Sequence, residues 1–192
     1  MTLEKLYRLV SIGIVFISNI IFGQSYINNL KFNPISENVS QRAITSIIKD
    51  QKGIIWIGTK GDGIYSYNGL DLKNYRHEWG NKNTLNNSGV NSIYLDSNKN
   101  LWVGTDVGLN LYIRELDQFV PVKIDSLNSK IEVKAIGENE HKLLLIGTHG
   151  SGVFKLNSNT KKVEAVKIKA YDNLNKLQVN DIKITPRGSV LI

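Results

Sequence analysis

The sequence contains no cysteine, which excludes a disulfide framework, thiolate metal ligands and a cysteine nucleophile. It has only 3 histidines; His77, His141 and His149 fall at no metal-ligand spacing. Beyond the first 23 residues no segment sustains a 3.6-residue apolar period, so a helical domain is excluded. The glycine-bearing stretches Lys60–Gly63 and His149–Gly152 lead into no helix that could cradle a phosphate, and they read as strand-connecting turns. Asp96, Asn98 and Asn100 imitate the start of a calcium loop. Leu101 stands where that loop needs glycine and Val107 where it needs glutamate, so calcium is rejected. No pairing of a nucleophile with a base is evident. No cofactor or metal is expected.

What is present is a globular composition, 41% hydrophobic and 21% charged, with a formal net charge of +7. The basic balance favours anionic partners and does not bear on fold. The first residues stand apart. Lys5 and Arg8 precede the mostly apolar run Leu9–Phe22, and Gly23 and Gln24 follow. A charged head, an apolar run and a small residue make a secretory signal peptide over residues 1–23. Fourteen residues reach only ~21 Å as a helix, short of a hydrocarbon core of about 30 Å. An uncleaved anchor is the alternative. The expected location is the periplasm.

An internal repeat is the strongest signal. Asp50–Thr59 reads DQKGIIWIGT, Asp96–Thr105 reads DSNKNLWVGT, and Asn139–Thr148 reads NEHKLLLIGT. The Gly-Thr pairs begin at Gly58, Gly104 and Gly147, at spacings of 46 and 43 residues. A short strand pattern precedes each copy and a glycine turn with another strand follows it. A fourth, more variable strand closes each unit. β-Branched and aromatic residues fill the strands; Gly, Asn, Asp and Ser fill the turns. Four antiparallel strands in about 45 residues is the size of a propeller blade. The expected fold is therefore all-β, a set of four-stranded antiparallel β-propeller blades in an incomplete ring. Repeats cover about 43–88, 89–130 and 131–176 within a domain over 24–192, with a truncated repeat at 177–192. Residues 28–33 read as a closing strand for a blade outside the chain.

Within the repeat, Trp56 and Trp102 occupy equal positions among apolar neighbours, so packing between blades is expected of them. Gly58, Gly104 and Gly147 end the second strand where backbones crowd or bend. Thr59, Thr105 and Thr148 complete the structural signature. Trp79 differs, lying in a polar connection beside Arg76 and His77. It is expected to anchor that loop, with stacking on a sugar as the alternative.

These residues resemble the two-component regulator propeller repeats. Asp50, Gly53, Trp56, Gly58, Thr59, Gly63 and Tyr67 match in the first copy; Asp96, Trp102, Gly104, Thr105, Gly108 and Tyr112 match in the second. The third keeps Gly147, Thr148 and Gly152 but has Asn139, Leu145 and Leu156 where the pattern has Asp, Trp and Tyr. The sialidase-type Asp box and the quinoprotein tryptophan motif both fail on spacing. The resemblance implies the exported, ligand-sensing propeller segment of a two-component receptor that responds to oligosaccharides. Any membrane helix and kinase would lie downstream, and this segment would have no catalysis of its own. A glycan-active extracellular propeller enzyme is the alternative.

Propellers bind ligands where loops of successive blades converge, so the turns after each Gly-Thr and the loops joining units are the candidate site. That places Arg42, Lys60, Asp62, Arg76, His77, Trp79, Asp106 and His149 at one mouth. Lys60, Arg42 and Arg76 would meet the anionic groups of an acidic oligosaccharide while Trp79 stacks on a ring. The other expected partners are the remaining blades of the same receptor or a second copy. Nucleic acid is not expected, and a membrane is reached only through the downstream helix.

Overall fold

The computed structural model describes residues 43–124, 130–166, 177–185 and 190–192. The signal-peptide segment 1–23, the closing strand 28–33 and Arg42 lie outside these residues. All the regular structure described is strand. The first sheet holds β1 (Ile44–Lys49), β2 (Ile55–Thr59), β3 (Ile64–Tyr67) and β4 (Leu72–Tyr75) in that order. The second holds β5 (Val90–Leu95), β6 (Leu101–Thr105), β7 (Gly108–Ile113) and β8 (Gln118–Val122), again in sequence order. The third repeats the plan with β9 (Val133–Glu138), β10 (Leu143–Thr148), β11 (Val153–Asn157) and β12 (Val163–Ala165). A short pair, β13 (Lys183–Ile184) and β14 (Val190–Leu191), begins a further unit. Every pairing is antiparallel, so these are four-stranded blades built as up-and-down meanders.

The repeated glycine is explained by close approach rather than by backbone dihedral. A Cβ on Gly58 would lie 2.7 Å from Val90 Cγ1; on Gly104, 2.6 Å from Val133 Cγ1; on Gly147, 2.5 Å from Val179 Cγ1. Each blade's second strand thus receives a valine of the next unit on a bare backbone, from the first strand for Val90 and Val133 and from just ahead of β13 for Val179. Val90 and Val133 are 0% exposed as a result. The equivalent residue on β1 is Ile44, which has no preceding blade against it among the described residues and is 51% exposed.

The first strand carries the same irregularity in each blade. Its register shifts between Ile44 and Ser46, between Val90 and Ser92, and between Val133 and Ala135. The extra residue of such a bulge is re-aimed away from the ladder. In two blades it reaches the neighbour: Thr45 Oγ1 donates to Val90 O at 2.8 Å, and Asn91 Nδ2 to Val133 O at 3.2 Å.

The tryptophans pack between blades, as their apolar setting implies. Trp56 is fully buried against Tyr75 of its own blade and Tyr112 and Phe119 of the next. Its indole N–H donates to Asp50 Oδ2 at 3.1 Å, and Trp102 does the same to Asp96 Oδ2 at 2.8 Å. The other oxygen of each carboxylate holds the hairpin turn. Asp50 Oδ1 accepts from Lys52 N and Ile54 N, and Asp96 Oδ1 from Asn100 N. A cation from the next blade covers each pair. Arg114 Nη2 lies 2.8 Å from Asp50 Oδ2, and Lys161 Nζ sits 4.7 Å from the centre of the Trp102 ring. A second seam lies further out, where Asp117 accepts from Tyr75 OH and Tyr112 OH, each at 2.6 Å, and pairs with Lys73.

Two stability predictions follow from these contacts. Gly104→Val should cost at least about 2 kcal/mol, because the new side chain would overpack against Val133. Gly69, at φ +100 with nothing within 4 Å of an added Cβ, should lose only about 1 kcal/mol as Gly69→Ala, from its left-handed backbone. Urea unfolding of both variants measures the difference; equal losses would refute the packing account. The second concerns pH. Burial pushes the Asp50 carboxyl up, but hydrogen bonds from Trp56, Arg114 and Ile54 outweigh it and hold the group below its ordinary range. Asp117 is also lowered: burial raises it, and Lys73, Tyr112 and Tyr75 together outweigh that. A carboxyl depressed in the folded state stabilises above its unfolded pKa of about 4 and loses that contribution as pH falls through the folded value. Urea midpoints should therefore fall below about pH 4, less steeply in Asp50→Asn. A flat profile over that window would contradict the assignment.

Candidate functional site

Each Gly-Thr threonine shapes the turn after it. Thr59 Oγ1 donates to Gly63 O at 2.8 Å, Thr105 Oγ1 to Gly108 O at 3.0 Å, and Thr148 Oγ1 to Gly152 O at 2.7 Å. These hydroxyls are inside the fold; all three threonines are 0% exposed. The next residue of each copy, Lys60, Asp106 or His149, is exposed. Its backbone is held identically in each case: Lys60 N donates to Ala43 O, Asp106 N to Gly89 O and His149 N to Glu132 O, at 2.9 to 3.0 Å. The scaffold therefore fixes three equivalent positions and leaves their side chains to vary.

The loop joining the first two blades closes over the first of these turns. Gly63 N donates to Ser88 O at 2.8 Å, and Lys60 and Gly89 form an isolated antiparallel bridge. The loop is pinned from inside. Leu85 is 0% exposed, and Asn86 is locked to β7. Asn86 N donates to Asn110 Oδ1 at 2.9 Å, while Asn86 Oδ1 accepts from Asn110 Nδ2 at 2.8 Å and lies 2.7 Å from Thr105 Oγ1, whose one proton it shares with Gly108 O. His77 N donates to Ser88 Oγ, and His77 Nδ1 lies 2.8 Å from Leu85 O.

Trp79 has no part in that anchoring. It is 93% exposed, with the edge of His77 against it at 5.0 Å between ring centres. The expectation that Trp79 anchors the loop is overturned, because Leu85 and the Asn86–Asn110 pair already satisfy and bury the segment. The sign in the sequence was Asn110, a polar residue in the strand Leu109–Asn110–Leu111. A polar side chain buried there needs a partner.

Together these elements form a shallow cleft of about 410 Å³ lined by Lys60, Gly61, His77, Trp79, Asn87, Ser88, Gly89 and Asp106. Lys60, His77, Trp79 and Asp106 from the sequence-derived set meet there. Asp62 and Arg76 do not line it. Arg76 Nη2 lies 2.5 Å from Asp62 Oδ1 and Arg76 Nε donates to Asn74 Oδ1. The nearly buried Asp62 also accepts from Tyr65 OH. Arg76 is thus paired with Asp62 and stands outside this cleft. His149 occupies the equivalent turn of the third blade and is not among the lining residues. Sequence reasoning missed Asn87, Ser88, Gly89 and Asn91. Gly89 leaves room for the Asp106 carboxylate, since a Cβ there would lie 2.0 Å from Asp106 Oδ2; Asn91 Nδ2 donates to Asp106 Oδ1 at 3.0 Å.

Residues 38–61 and 84–107 match the family described as two component regulator propeller. Both matched segments span a hairpin and its Gly-Thr. Over 153 residues, 74% of this chain, the sequence is 38% identical to Histidine kinase P4 of Formosa agariphila, and it spans 10% of that protein's length. Among solved structures, the extracellular domain of the hybrid two component system BT3049 from B. thetaiotaomicron is 27% identical with a TM-score of 0.64. That match covers 83% of this chain and 20% of the other. The extracellular domain of BT4673 from the same organism has a TM-score of 0.64 at 18% identity, over 83% of this chain and 21% of the other, and shows the fold alone.

Proposed function

From a chain built of two component regulator propeller repeats, we propose that this protein is the exported, ligand-sensing propeller segment of a two-component receptor and that its ligand is an oligosaccharide. The observation that carries the reading is the mouth cleft, where an indole 93% exposed stands beside polar groups of two consecutive blades. An exposed ring costs the free protein apolar hydration and does nothing for its packing. It gives a flat apolar face on which the C–H face of a sugar ring can lie. The cleft draws Lys60 from the first blade and Asp106 from the second, so occupancy links two blades that are otherwise joined by their seams. Whatever the ligand changes would then be read by segments of the receptor outside this chain.

The test of binding is tryptophan fluorescence during titration with a panel of oligosaccharides. Trp56 and Trp102 are 0% exposed, so a change on ligand addition reports on Trp79. A saturable change is expected in the native chain and should vanish in Trp79→Phe; affinity should fall at least about tenfold in Trp79→Ala, the equivalent of about 1.4 kcal/mol. A panel that produces neither fluorescence change nor heat would refute the saccharide reading. Export is tested separately, by mass spectrometry of the N-terminus. Cleavage near Gly23 and recovery from the periplasmic fraction are expected, and intact Met1 on a soluble cytoplasmic protein would refute them.

A further inference from the structure

The cleft's hydrogen-bonding groups are mixed in kind, and this bears on the charge of what it can hold. His77 Nδ1 faces the Leu85 carbonyl at 2.8 Å. A carbonyl can only accept, so the neutral imidazole carries its proton on Nδ1 and its Nε2 is an acceptor. Asp106 is a second acceptor, with Oδ1 taking Asn91 Nδ2 and Oδ2 over Gly89. The donors are different residues. Asn87 Oδ1 is occupied by the Gly89 N–H at 2.6 Å, which leaves the Asn87 amide N–H groups to donate. Ser88 Oγ accepts from His77 N at 3.0 Å and retains its own proton for a further bond. Lys60 supplies an ammonium.

The net positive charge of the chain pointed toward an acidic glycan, but that argument counts cations the cleft does not offer. Arg76 pairs with Asp62 and Asn74 and does not line the cleft. Lys60 shares the cleft with Asp106. A carboxylate or sulfate brings negative charge and acceptors alone. Against Asp106 and the His77 Nε2 lone pair it would find repulsion and unmatched acceptors, each of which weakens binding. A hydroxyl both donates and accepts, so a neutral sugar can satisfy Asp106 and His77 with its protons and Asn87, Ser88 and Lys60 with its oxygens.

We propose that the cleft formed by Lys60, His77, Trp79, Asn87, Ser88 and Asp106 selects neutral, hydroxyl-rich saccharides over acidic ones. The proposal rests on the saccharide reading above and adds the charge class of the ligand. Calorimetric titration of the full chain should compare short neutral gluco-, xylo- and galacto-oligosaccharides with uronate and sulfated fragments of matched length. At least one neutral series should bind more tightly than any acidic one, with affinity nearly unchanged between low and high salt, since no net charge is being screened. Asp106→Asn provides a test by sign. For a neutral ligand it exchanges a charged acceptor for a neutral one and should weaken binding about fivefold, less than the loss of a whole charge-assisted hydrogen bond because the amide oxygen still accepts. For an acidic ligand it removes a repulsive charge and should tighten binding. Acidic fragments that bind more tightly than neutral ones, lose affinity in salt and gain it in Asp106→Asn would overturn the charge class while leaving a saccharide site in place. Absence of binding by both classes, unaltered in Trp79→Ala, would instead overturn the saccharide reading itself.

Discussion

The contact on which this fold depends is a valine methyl set against a bare backbone. Gly58, Gly104 and Gly147 each meet a valine of the next unit at a distance no side chain could share. The glycine costs its strand stability, because glycine loses the most conformational freedom on folding and offers nothing to pack. That cost is offset only when the neighbouring blade arrives and fills the space. A blade of this type is therefore a poor independent unit, and its stability resides in its neighbours, as in other repeat architectures. The exposed Ile44 and Ile47 show the same surface uncovered: their counterparts Val90 and Ile93 are 0% and 8% exposed. That valine contact acts with the Trp56 and Asp117 seams to hold successive blades together.

The tryptophan and its aspartate add direction to this packing. The indole contributes a large buried area, but its N–H must be satisfied, and the carboxylate that starts the hairpin turn is the group within reach. One aspartate thus serves a local turn with one oxygen and a tertiary contact with the other. The third blade shows why the two residues vary together. Leu145 has no N–H to satisfy, and Asn139 in place of aspartate still holds its turn, accepting from His141 N and Leu143 N through Oδ1. Without the indole a buried carboxylate loses one of its hydrogen-bond donors, so loss of tryptophan removes a reason to keep the acid. Asn139 and Leu145, two of the third copy's departures from the repeat, are thus one physical change.

Much of this was legible in the sequence because it is written three times. Strand order, turn positions and the burial of Trp56 and Trp102 follow from the repeat and its composition. What was less legible depends on contacts between copies. A lone Gly58 in a strand signals crowding or bending alike; only the position of Val90 decides for crowding. The cleft was foreseen in outline, since Lys60, His77, Trp79 and Asp106 do converge. The pairing of Arg76 with Asp62 was not legible because the sequence gives charge without pairing: the two sit fourteen residues apart, and only the β3–β4 register brings them to the same end of the hairpin. Trp79 was misjudged. A loop tryptophan is ordinarily buried, and its exposure here depends on Leu85 and Asn86 already having done the anchoring.

The same repetition separates what holds the mouth from what the mouth can recognise. Thr59, Thr105 and Thr148 make the same buried hydrogen bond, and the residue after each makes the same backbone bond to the start of a first strand. Neither bond uses the side chain of Lys60, Asp106 or His149. Their identity is therefore free of the folding constraint that ties Gly58 to Val90 or Trp56 to Asp50. A cation, an anion and an imidazole at three equivalent points cannot be explained by blade geometry, which treats the points alike. Difference at positions the scaffold leaves unconstrained is what a recognition surface requires. It also means that the charge character of the mouth could change by substitution there without disturbing the contacts that join the blades.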